Sequence, residues 1–94
     1  MIPLQDLSAG VLAEIIRRQP ASKERTQFAW QLAVGQALAR VTTVELSGRV
    51  LNVHANDPRW VVEIDRARDE VLRKMQRLLG NDEIVRIRTR PVTR

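Results

Sequence analysis

The stretch VTTVELSGRVLNVHA, residues 41–55, alternates apolar and polar side chains through two short runs with Ser47-Gly48 between them. Alternation with a period of two around a glycine-containing turn predicts a β-hairpin. Thr42, Val44 and Leu46 share one face of its first strand, and Leu51, Val53 and Ala55 share one face of its second. A two-residue Ser47-Gly48 loop pairs Leu46 with Arg49 and Val44 with Leu51, which lands both apolar sets on the same side. Thr43, Glu45, Val50, Asn52 and His54 take the other side, so the hairpin has one face for a core and one for water.

Downstream, Asn56, Asp57 and Pro58 start a helix, with Asp57 as its cap and Pro58 at the first helical position, where a missing N–H does no harm. The stripe Trp60, Ile64, Ala67, Val71, Met75 and Leu78 predicts one long helix, closed by Gly80 as a left-handed cap. Glu83 to Thr89 alternates again, with Val85, Ile87 and Thr89 on one face and Arg86, Arg88 and Arg90 on the other, and Pro91 stops the ladder.

Upstream, Leu4, Leu7, Val11, Leu12, Ile15 and Ile16 predict an amphipathic helix from about Asp6 to Arg18. Pro20 ends it, and Arg17 and Arg18 suit the negative end of the helix dipole. Ser22 caps a second helix that buries Phe28, Leu32 and Leu38, with Ala29, Ala33, Gly35 and Ala37 allowing close packing. Gly35 costs about 1 kcal/mol as a helix former, so close approach by another backbone is its expected reason. The order α-α-β-β-α-β predicts an α+β sandwich of two layers, a three-stranded sheet with helices on one face. Ninety-four residues fit one domain, residues 1–94, with the N-terminal amphipathic helix in 1–20 and the core in 22–90.

Sixteen Lys and Arg against eleven Asp and Glu give a net charge of +5, and fourteen of the basic residues are Arg. Arginine forks suit phosphates and carboxylates, so nucleic acid or an acidic protein surface is the expected partner class. There is no cysteine, which removes disulfides, thiolate metal sites and cysteine nucleophiles, and is compatible with a reducing cytoplasm, the expected location. Met1 to Arg18 lacks the pattern of a signal peptide, and no apolar run approaches the length of a membrane span.

Catalytic signals are missing. His54 is the only histidine, with no second histidine or cysteine to share a metal. Glu63, Asp65, Asp69 and Glu70 lie among Arg66, Arg68, Arg73, Lys74 and Arg77, and pairs such as Asp69–Arg73 and Glu70–Lys74 have the spacing of ordinary helix-surface ion pairs. The four glycines are isolated, which leaves no phosphate-cradling loop and no nucleophile elbow. A non-enzymatic protein without cofactor, metal or small-molecule substrate is therefore expected.

The most informative cluster is Arg86, Arg88 and Arg90, which on a strand project from one face about 7 Å apart and can follow a nucleic-acid backbone. The competing explanation is that an edge strand carries charge to avoid pairing with other chains. Trp60 opens the stripe of the long helix and is expected in the core, whereas Trp30 falls off the Phe28–Leu32 stripe.

The run Phe28-Ala29-Trp30, Ala33-Val34-Gly35, Leu38-Ala39, Thr42-Thr43, Val50-Leu51-Asn52-Val53 and Trp60, closed by Ile84-Val85-Arg86-Ile87-Arg88, resembles the DciA family of bacterial proteins. The resemblance covers about Phe28 to Arg90, and implies a KH-like domain and a role in loading the replicative DNA helicase. Nucleic-acid-binding KH domains grip the backbone with a Gly-x-x-Gly loop between two helices, and this sequence has none. Many family members also carry a basic tail, whereas this sequence ends four residues beyond Arg90, so a partial or diverged member is the expectation if loading needs that tail.

Two readings follow. In the first, the protein is a DciA-like replication accessory that binds the replicative helicase and contacts DNA, single- or double-stranded, through Arg86, Arg88, Arg90 and Arg49, with Lys74 and Arg77 as further candidates. In the second, it is a protein-interaction module without nucleic-acid contact, using the exposed sheet face or an apolar patch around Trp30.

Overall fold

The computed structural model describes residues 9–91. Along the chain run α1 (Ala9–Arg18), α2 (Lys23–Val34), α3 (Gln36–Arg40), β1 (Thr42–Ser47), β2 (Val50–Ala55), α4 (Pro58–Arg66), α5 (Arg68–Leu79) and β3 (Arg86–Pro91). Counting each bent helix once, this is the expected α-α-β-β-α-β order of a mixed α+β domain. The sheet order is β1-β2-β3, with β1 antiparallel and β3 parallel to the central β2. A parallel neighbour demands a long crossover, which α4 and α5 supply.

The hairpin forms one residue later than expected. Ser47 pairs with Val50, Leu46 with Leu51 and Val44 with Val53, so the turn is Gly48-Arg49 rather than Ser47-Gly48. Both turn residues have positive φ, 55° and 71°, the geometry whose twist matches the flanking strands. This register also keeps Arg49 off the apolar face and sets Leu51, Val53 and Ala55 opposite Leu46, Val44 and Thr42.

Both expected long helices are bent. Gly35 ends α2 at φ 90° and ψ 161°, its N–H bonded to the Gln31 carbonyl at 2.8 Å. A side chain built there meets nothing within 4 Å, so the glycine serves this backbone conformation and not close approach. The other break is Ala67, at φ −102° and ψ 12°. The apolar stripe continues through it, and α4 lies over β2 and β3 while α5 turns to pack on α1 and α2. One straight helix would not serve both.

The core holds Ile16, Trp30, Leu51, Val53, Ile64, Met75, Leu79, Ile84 and Ile87 among others. The buried face of α2 is Thr26, Ala29, Trp30 and Ala33, not the Phe28–Leu32 stripe: Trp30 is fully buried, whereas Phe28 and Leu32 are 42% and 37% exposed. A Trp flanked by small residues at i, i+3, i+4 and i+7 spacing fills the interior better than the larger apolar pair on the next face. Its Nε1 donates to Thr42 Oγ1 at 2.9 Å, and that hydroxyl donates to the Leu38 carbonyl at 2.8 Å. Trp60 is half-buried.

Helix α1 packs on α5 through Ile16, and Arg17 Nη2 donates to the Arg77 carbonyl at 2.6 Å, one of the carbonyls left free at the α5 C-terminus. The expected helical residues 6–8, with Leu4 and Leu7, lie outside the described residues. Val85 departs from expectation as well: it is exposed, because β3 starts only at Arg86 and Ile84 turns into the core with its carbonyl held by Gln76 Nε2 at 3.1 Å. Among the described residues no helix is long and apolar enough to cross a membrane.

Candidate nucleic-acid interface

With α2, α3, α4 and α5 on the side of the inward residues Leu51, Val53, Ala55 and Ile87, and α1 packed on α5, the other face of the sheet is open. The two ladders set its side chains in rows: Arg86, Val50 and Ser47; Arg88, Asn52 and Glu45; Arg90, His54 and Thr43. The arginines and the β1 residues are exposed, and the central β2 residues are half-covered by their neighbours.

Ion pairing sorts the basic side chains. Carboxylates engage Arg18, Arg25, Arg59, Arg66, Arg68 and Lys74. No ion pair among the described residues engages Arg49, Arg86, Arg88 or Arg90, and Arg17, Lys23, Arg40, Arg73 and Arg77 also lack a carboxylate partner there. The one acidic side chain of the open face, Glu45, sits two strand spacings from Arg88, roughly 9–10 Å away. Three unpaired guanidiniums thus line one side of the face, free to fork onto phosphate oxygens. Arg49 joins them at the hairpin tip, where its carbonyl accepts the Val85 N–H at 2.8 Å just ahead of Arg86.

Lys74 and Arg77 stand elsewhere. Val71, Met75, Leu78 and Leu79 take the buried side of α5, so Arg73 and Arg77 project away from the sheet. Lys74 is within 3.9 Å of Glu70, and Arg77 shares a shallow pocket with Arg17 and Arg73. The structure therefore unites the strand and hairpin arginines and places the α5 pair on the opposite layer.

Behind the arginine strand, Asp65 of α4 accepts hydrogen bonds from Arg68 and from Thr89 Oγ1, the latter at 2.8 Å. The Arg68 guanidinium chiefly, and the Thr89 hydroxyl after it, hold the Asp65 carboxyl below its usual range. This link fixes β3 to the helix layer from its inward side and leaves the outward arginines untouched.

Asn52 and His54 were not among the candidates from sequence. Alternation had put them on the polar face, but only the β2–β3 register shows that they adjoin Arg88 and Arg90, where an amide and an imidazole can add hydrogen bonds to a bound backbone. The patch expected around Trp30 does not exist, since that indole is in the core. The exposed apolar side chains nearby are Val11 and Ile15 of α1 and Phe28 and Leu32 of α2.

No curated protein matches the chain. The family model described as Dna[CI] antecedent, DciA, matches residues 3–89, nearly the whole length. With the expected element order present and that match spanning it from the first helix to the arginine strand, the chain belongs to the DciA family.

Proposed function

We propose that this protein is a non-enzymatic accessory of DNA replication that engages the replicative helicase and holds DNA by its phosphates on the open sheet face. Family membership supports the helicase-loading role. The observation that carries the DNA contact is the row Arg86, Arg88 and Arg90, exposed and without carboxylate partners among the described residues. Lacking a Gly-x-x-Gly loop, the domain would use a strand where nucleic-acid-binding KH domains use the junction of two helices.

The test is fluorescence anisotropy with labelled single- and double-stranded DNA across a salt series, beside interferometry against the replicative helicase. Three phosphate contacts give a slope of log affinity on log salt of about −2 for single strands and about −2.7 for duplex. The triple substitution Arg86→Glu, Arg88→Glu, Arg90→Glu abolishes DNA binding and leaves the fold intact. Unchanged affinity in that variant removes the assignment.

The second reading, a protein-interaction module, is favoured by one observation: Val11, Ile15, Phe28 and Leu32 expose apolar surface on adjoining helices. Helicase binding that survives the arginine triple substitution and fails with Phe28→Ser would assign the partner contact to that surface.

A further inference from the structure

We infer that the row Glu45, Asn52 and Arg88 on the open sheet face reads bases, and selects strands whose unpaired bases carry an exocyclic amine over thymine-rich ones. The inference rests on the DNA reading above and concerns what lies beside the phosphates.

Lateral pairing fixes the row. Arg88 stands opposite Asn52 across the parallel ladder, and Asn52 opposite Glu45 across the antiparallel one, so the three side chains leave the same side of the sheet. Arg88 and Glu45 are exposed and Asn52 is half-covered, and no hydrogen bond or ion pair holds any of the three side chains among the described residues. The row crosses the sheet from its cationic edge to the far strand, roughly 9–10 Å.

A strand seated on Arg86, Arg88 and Arg90 can send its bases off the free edge of β3 into water, or inward across β2. Inward, they meet polar side chains. The rings that ordinarily stack on bases are not on this face: Trp30 is in the core, and Phe28 and Trp60 belong to helices. Sequence-tolerant stacking is left to the His54 imidazole, and what the rest of the face offers a base is hydrogen bonding at its edge.

Glu45 sets the preference. A carboxylate on a face that holds phosphates repels them and weakens binding, unless it accepts a hydrogen bond from the ligand. Cytosine, adenine and guanine each carry an amine that can donate, whereas thymine presents a ring N–H between two carbonyl oxygens. Asn52, directly across from Glu45, completes the contact, since its amide N–H can donate to the ring nitrogen beside the amine of cytosine or adenine. Thymine and uracil reverse both partners and set a carbonyl against the carboxylate. In a duplex these base edges are already paired, so the row reads an unpaired strand.

The test is fluorescence anisotropy of the whole protein with labelled dodecamers of deoxycytidine and of deoxyuridine, at mildly alkaline pH where cytosine is uncharged. The two strands share length, phosphate charge and the lack of a ring methyl, so the arginine contribution is common to both and their salt slopes are equal. The row predicts the deoxycytidine strand bound about fivefold or more tighter. Glu45→Gln exchanges an exposed side chain that has no partner among the described residues, so the fold is kept. It should erase the preference, raising affinity for the deoxyuridine strand and not for the deoxycytidine strand. Equal affinity of the native protein for the two strands overturns the inference and leaves the phosphate grip standing. So does a Glu45→Gln variant that shifts both affinities by the same factor, for then the carboxylate only repels phosphate. Failure of both strands to bind the native protein removes the DNA reading itself, and this inference with it.

Discussion

Replacing Thr42 with Val exchanges a hydroxyl for a methyl at nearly constant volume, and so isolates the hydrogen-bond chain that ties α2 and α3 to the sheet. Thr42 Oγ1 accepts from Trp30 Nε1 at 2.9 Å and donates to the Leu38 carbonyl at 2.8 Å, with Trp30 fully buried and Thr42 5% exposed. The substitution strands the indole N–H in the core and takes one donor from a helix-terminal carbonyl. A buried unsatisfied group costs about 1–3 kcal/mol, and the added methyl recovers part of a kcal/mol, so a net loss of about 2 kcal/mol is expected. For a chain of this size that lowers Tm by roughly 8–16 °C. Urea unfolding should show the midpoint falling at unchanged slope. Thr42→Ser keeps the hydroxyl and isolates the methyl's share. Trp30→Phe removes the donor, so the double variant Trp30→Phe, Thr42→Val should lose about 1 kcal/mol less than the sum of the singles. Additive losses, or a neutral Thr42→Val, would refute the claim that this chain of bonds holds the helix layer to β1.

Arg49→Gly relieves a side chain held at φ 71° and should raise stability by about 0.5–1 kcal/mol in urea unfolding, while the salt slope of DNA binding becomes shallower by about one phosphate. Gly35→Ala should destabilise by about 1–3 kcal/mol although a methyl finds open space there, because φ 90° with ψ 161° is glycine territory. Asp65 has a folded pKa below its unfolded one, so its contribution is complete above the ordinary carboxylate range and fades as pH falls through that range and below it. Asp65→Asn should therefore lower stability at neutral pH and flatten the acid limb of a stability profile between about pH 5 and pH 2, a small change because the pair is partly exposed.

How much was legible follows the range of each interaction. Ser22 accepts from the Arg25 N–H at 3.0 Å, and Asp57 from the Arg59 N–H at 2.8 Å, each the cap its residue type announces. Gly80 closes α5 at positive φ, as its place after the apolar stripe implies. These signals act within one turn of chain, so composition and spacing carry them. The bend at Ala67 has no such mark: alanine favours helix and the stripe passes through it, and only the differing directions of sheet and helix layer require a break. The buried face of α2 is hidden for a related reason, since two apolar stripes compete on one helix and the partner surface chooses between them.

The sequence by itself determined the alternation that sets Arg86, Arg88 and Arg90 on one side of a strand and the order of the elements, because each depends on residues a few positions apart. Tertiary structure alone decided that β3 lies parallel to β2 and that Arg88 and Arg90 adjoin Asn52 and His54. It also decided that Lys74 and Arg77 face away from the sheet and that Glu45 stands in one row with Asn52 and Arg88. Register between strands more than thirty residues apart is settled by how the whole core packs, and no local pattern along the chain encodes that choice.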